Sequence, residues 1–187
     1  MRLKKINAIL SLLSVLLLAV HVGYNIFSYI TFYYNPTLKL FTAIPFMVVV
    51  CGHAVCGMCS VFLASDGTDL IMYRKQNRGT VIQRVSASLI FPLLILHINA
   101  LNLLKTFSSN GQLLLFFLVV ILQALFFAVI ALHIATSFSK AFITLGLLSD
   151  MDKKKRIDLI TRIVCVVSCA AAVYSVVQGE IFMFLLM

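Results

Sequence analysis

The sequence holds four histidines, His21, His53, His97 and His133, and each falls inside a different long apolar run. An ionisable side chain at mid-membrane is costly and is by default a functional hypothesis. One such residue would read as a neutral ring hydrogen-bonded to a neighbouring helix. One in each of four successive runs, with none in a loop, reads as a ligand set. Neutral imidazole is the commonest metal ligand among side chains, so the chemistry on offer is metal ligation.

A second cluster competes for that role. Residues 51 to 60 read CGHAVCGMCS, three cysteines around His53. On a helix at about 100° per residue the thiols of Cys51, Cys56 and Cys59 fall near 0°, 140° and 80°, spread round the axis instead of converging. The pattern is not Cys-x-x-Cys-His, so covalent haem attachment is not indicated. These cysteines, with Cys165 and Cys169, read as small apolar residues, and His53 is the informative residue of the ten.

The elements that must position the histidines are membrane helices. Of the 187 residues 62% are hydrophobic and 11% charged, a balance that belongs to membrane proteins. Runs of the roughly 20 residues needed to cross ~30 Å of hydrocarbon lie at 7–34, 40–64, 81–107, 113–148 and 157–186. The breaks are Asn35-Pro36, Asp66-Gly67-Thr68-Asp69, Ser108-Ser109-Asn110-Gly111 and the charged stretch Asp150 to Arg156, all rich in turn formers or charge. The expected fold is all-α: one domain over residues 1–187, an integral membrane bundle of five transmembrane helices with short loops. The first run continues past Val20 to Tyr34 without a small-x-small cleavage site, so it reads as a retained helix and not a signal peptide.

Of the 15 Lys and Arg, only Lys39 and Lys105 fall at one side of this bundle. The rest, including Lys4, Lys5, Arg74, Lys75, Arg84, Lys140, the run Lys153 to Arg156 and Arg162, fall at the other. Basic loops stay cytoplasmic, so the N-terminus is expected in the cytoplasm and the C-terminus outside, in the cell membrane. The net charge of +9 then needs no nucleic acid to explain it.

Depth sorts the histidines. At about 1.5 Å per residue, His21 and His97 come to a similar height in the outer part of the bundle, and His53 and His133 in the inner half. Two imidazoles at one height on facing helices suit axial ligation of an iron porphyrin, and two levels imply two haems. A zinc ion would instead draw all four histidines to one depth. Small residues stand near the ligands at helical spacing: Gly57 after His53, Ser137 after His133, Ala100 after His97.

Three stretches carry a family resemblance. HIATSFSKAFITLGL (133–147), QRVSASLIFPLLILHI (83–98) and KKINAILSLLSVLLLAVHV (4–22) resemble helices of the dihaem cytochrome b membrane anchors of succinate dehydrogenases and fumarate reductases. The chain departs from that pattern in having Thr136 and Ser137 where the family often shows Asn or His followed by Gly. It also lacks an acidic residue near the outer end of the second run. The resemblance implies two haem b groups ligated by the pairs His21/His97 and His53/His133. It further implies a flavoprotein and an iron–sulfur subunit on the cytoplasmic face, electrons passing to or from a membrane quinone such as menaquinone, and no catalysis of the soluble substrate by this chain alone. A homo-oligomer of the whole complex is compatible with it.

Polar residues gather toward both ends of the runs. Arg84, Ser88, Thr136, Ser137, Lys140 and Arg162 are candidates for haem surroundings and partner docking at the inner end. Tyr24, Asn25, Asn99, Asn102, Lys105, Gln123, Gln178 and Glu180 lie toward the outer end, and Tyr24, Asn25, Asn102, Lys105 and Glu180 are the quinone candidates. Glu180, the one glutamate in the chain, is a candidate for passing protons there. Two other functions stay open: a cytochrome b anchor of a different quinone-linked complex, such as a hydrogenase, a formate dehydrogenase or another flavoprotein reductase, and a haem-free transporter or assembly protein.

Overall fold

The computed structural model describes residues 2–62 and 74–186, and among them there are helices and short connections but no strand. The helices are α1 (Arg2–Thr31), α2 (Pro36–Phe62), α3 (Arg74–Ser109), α4 (Leu113–Leu145) and α5 (Met151–Ile181), followed by a π-helical turn, Phe182–Leu186. Five helices are long and apolar enough to cross a membrane, so the chain is built as a multi-pass membrane protein. The expected break at Asp66 to Asp69 lies outside the described residues, as do the side chains of Arg74 and Lys75.

Local chemistry sets the ends. Phe32 has φ 54, in the left-handed region, and stops α1. Asn35 Oδ1 accepts the backbone N–H groups of Thr37 (3.0 Å) and Leu38 (3.1 Å), an N-cap with Pro36 in the first helical position. The Tyr24 hydroxyl holds this corner by donating to Asn35 O (2.8 Å) and accepting from Asn35 N (3.1 Å). Gly146, at φ 78, closes α4: its N–H donates to Ile143 O and that of Leu147 to Phe142 O, a Schellman closure. The fifth helix starts earlier than Ile157. Asp150 accepts from the N–H groups of Asp152 and Lys153, so the charged stretch becomes the opening turns of α5 instead of a connection. Asp152 pairs there with Lys155 (3.0 Å) and Asp158 with Lys154 (2.9 Å).

Packing is uneven. The central helix, α4, touches α3, α5 and α1, and α1 in turn touches α2, α4 and α5. The second helix packs extensively on α1 alone, and none of its described residues is buried. At the end of the bundle where α3 turns into α4, Ala100, Leu104, Phe116, Val119 and Val120 form a core that Phe184 and Leu185 of the π turn complete. The Ser108 hydroxyl donates to Phe184 O and ties the turn to α3.

The helices α1 and α5 meet closely at Gly179. A Cβ there would stand 2.2 Å from Tyr29 Cδ1, so the contact exists because the side chain is absent. Gly179→Ala is expected to lower stability by about 1–3 kcal/mol, read as a lower thermal midpoint of the detergent-solubilised protein. Tyr29→Ala in the same chain should restore much of that loss.

Candidate histidine centre

His53 on α2 and His133 on α4 bring their rings to 6.4 Å between centroids, with the planes 62° apart. A metal–imidazole bond is about 2 Å, and the ring centre lies ~1 Å beyond the nitrogen, so two imidazoles on opposite sides of one metal have centroids roughly 6 Å apart. The His133 ring is fixed through one nitrogen. Its Nδ1 lies 3.1 Å from Gln83 O and 3.1 Å from Ser86 Oγ, and Ser86 itself donates to Gln83 O. An Nδ1–H held by a backbone carbonyl leaves Nε2 with a free lone pair, the usual arrangement behind a ligating histidine. Across the gap, His53 Nδ1 is buried without a hydrogen-bond partner, as is Asn7 Oδ1 of α1. Asn7 Oδ1 also lies 3.9 Å from where a Cβ on Gly57 would stand, so Gly57 faces α1.

The other two histidines have phenylalanine neighbours instead of each other. His21 stacks on Phe46 at 5.8 Å, and His97 stacks on Phe126 at 4.9 Å with Phe127 edge-on at 5.7 Å. Both His21 nitrogens have contacts: Nε2 with Asn25 Nδ2 (3.2 Å) and Nδ1 with Thr42 Oγ1 (3.4 Å). Asn25 must therefore swing aside before His21 Nε2 can ligate. His97 Nδ1 contacts Gln123 Oε1 (3.2 Å), which leaves its Nε2 available as in His133.

The Gln123 amide continues from His97 into α5. Its Nε2 donates to Glu180 Oε1 at 2.5 Å. Glu180 has no exposed surface, and its Oε2 has no partner. The acid at the helix end is thus an interior group, on a hydrogen-bonded line His97–Gln123–Glu180 that crosses three helices.

The remaining sequence candidates divide by face. At the end bearing most of the basic residues, Lys140 Nζ donates to Gln83 Oε1 (2.8 Å) and Thr80 Oγ1 (3.4 Å). The hydroxyls of Thr136 and Ser137 bond back to His133 O. Ser88 lies on the exposed side of α3 and bonds Arg84 O, whereas Ser86 is the serine that reaches His133. Asn99, Asn102 and Lys105 are exposed on α3, and Tyr24 serves the Asn35 corner. Ala100 is 1% exposed and belongs to the packed core, not to a clearing beside His97. Among the described residues no three His, Cys, Asp or Glu side chains converge as a metal-binding group, and all five cysteines are free.

Helical phase could have singled out Ser86 and Gln83. Ser86 precedes His97 by about three full turns and shares its face, while Ser88 precedes it by about two and a half turns and points the opposite way. Nothing in the sequence signals Asn7 or Thr42, because their roles depend on how α1 and α2 pack.

Gln123→Leu leaves the buried Glu180 carboxyl without its donor, an expected loss of about 1–3 kcal/mol. Adding Glu180→Leu removes the orphan and should recover part of it, a coupling that thermal midpoints of the two single variants and the double variant will show. Comparison of the chain with family models, with curated proteins and with solved structures gave no match.

Proposed function

We propose that the chain is the membrane subunit of a quinone-linked redox complex of the succinate dehydrogenase or fumarate reductase kind. In this reading it holds two b-type haems through His21/His97 and His53/His133. One observation carries the proposal: the His53 and His133 rings lie 6.4 Å apart between centroids, a separation at which both could hold one metal, and His133 is held by the atom not needed for it. The residues around this pair fit the group. His53 Nδ1 is a buried nitrogen without a partner, open to a metal, the His133 Nδ1 is taken by Gln83 and Ser86, and α2 packs extensively on α1 alone. When bound, such groups would supply one-electron transfer.

The chain's own residues then have separate tasks. Gln83 and Ser86 hold the His133 tautomer and ring angle. Lys140, on the same face as His133, presents a cation that the Gln83 side chain steadies, suited to a carboxylate at that level. Asn25 covers His21 Nε2, and Gln123 orients His97. Glu180 stands at the end of the Gln123 line, where an interior carboxyl can hold a proton close to quinone chemistry. The basic end is assigned to the cytoplasm by the distribution of Lys and Arg. There the flavoprotein and iron–sulfur subunits of a cell-membrane complex would dock.

The deciding measurement is a reduced-minus-oxidised spectrum of the purified chain, with haem quantified. Two low-spin b-type haems per chain are expected, and a haem-free, folded protein would overturn the proposal. His53→Ala and His21→Ala should each remove one haem, and a different one.

A further inference from the structure

A groove lies on the face of α4 away from His133. Between α4 and α5 runs an open groove of about 940 Å³, floored by Ala131 and Ala135 on one helix and Cys165 and Cys169 on the other, with Arg162 at one end and Gln178 at the other. The short side chains leave the space between the two helix surfaces unfilled. Ala131 and Ala135 sit about 160° round the helix from His133, so the groove is separate from the histidine centre.

We infer that this groove seats an anionic diacyl phospholipid, with its phosphate on Arg162 and its acyl chains along the adjoining half of the groove. The middle of the groove presents no group that could satisfy a polar ligand, so its occupant there is hydrocarbon. The groove extends about 24 Å from Arg162 to Gln178, most of the ~30 Å hydrocarbon thickness. A lipid anchored at Arg162 occupies the half within its own leaflet.

Charge selects the headgroup. Arg162 is exposed on α5, about 9 Å along the helix from Arg156. From that depth a long basic side chain extends toward the headgroup layer while its methylenes stay in apolar surroundings. The carboxylate one turn away, Asp158, is bonded to Lys154 at 2.9 Å and acts on Arg162 only at longer range, so the N–H donors of the guanidinium can still take a phosphate, its best-matched planar partner. Basic pockets between membrane helices recognise anionic lipid headgroups in this way. The inference does not depend on the haem proposal, because no histidine lines the groove.

The test uses the full chain in nanodiscs of mixed phosphatidylcholine and phosphatidylglycerol, with spin-labelled forms of each lipid and the motionally restricted fraction as readout. Labelled phosphatidylglycerol should be restricted in preference to phosphatidylcholine. Arg162→Gln should cut that preference about fivefold, and Arg162→Lys should keep most of it. Ala135→Phe, which fills the floor, should remove it while helix content stays unchanged; Cys169→Phe fills the other wall should the first variant misfold. Equal restriction of both lipids overturns the inference, as does a preference that survives Arg162→Gln or both filled grooves. Cross-linking from Cys169 to a second copy of the chain in place of lipid also overturns it.

Discussion

Hydrocarbon offers no hydrogen-bond partner, so each polar group carried into it must find one within the chain. Short side chains solve this on their own helix: Ser14 bonds Leu10 O, Ser137 bonds His133 O and Ser175 bonds Ala171 O. Longer ones must reach a neighbour. Gln123 reaches Glu180 and joins α4 to α5, Lys140 reaches Gln83 and joins α4 to α3, and His97 reaches Gln123. These contacts converge on α4, the helix that also touches three others. Apolar packing discriminates weakly between one membrane helix partner and another, because lipid is as apolar as leucine. The buried amides and charges therefore help to define which helices are neighbours.

The histidines obey the same constraint, and that is what makes them useful. A ring nitrogen bonded to a carbonyl is satisfied and immobile, and the opposite nitrogen is then an acceptor with nothing to accept from. The second helix, attached extensively to α1 alone, would gain a link to α4 from the rigid ligand proposed for His53 and His133.

Much of this was legible from spacing. Helix number, the Asn35-Pro36 corner, the turn at Gly111 and the placement of one histidine per span follow from hydropathy and turn chemistry, because each depends on residues close in sequence. The side chains of Lys140 and Ser137 share the His133 face as helical phase requires. What spacing could not supply depends on a second helix. Glu180 looks like a solvated acid until Gln123 is known to lie beside it. Tyr24 shares a face with His21 but is drawn to the Asn35 corner, where a backbone donor and acceptor stand together. The charged stretch from Asp150 reads as a connection by its charge, yet one aspartate accepting two N–H groups is sufficient to begin a helix there.

The central helix separates two environments. Its histidine face looks onto polar, position-specific contacts: Gln83, Ser86 and the ring of His53. The opposite face shows alanines toward the groove beside α5, and the polar contacts to α5 are made above and below it, by Gln123 to Glu180 and Ser139 to Asp158. A rigid, flat ligand needs the first kind of surface, where atoms at set distances hold it. A fluid chain needs the second, where only depth and shape matter, and one arginine at the end suffices to set its polarity. Small residues on one face of α4 and hydrogen-bonding residues on the other let a single helix meet both demands. Changes confined to the alanine face should for that reason leave the histidine geometry intact.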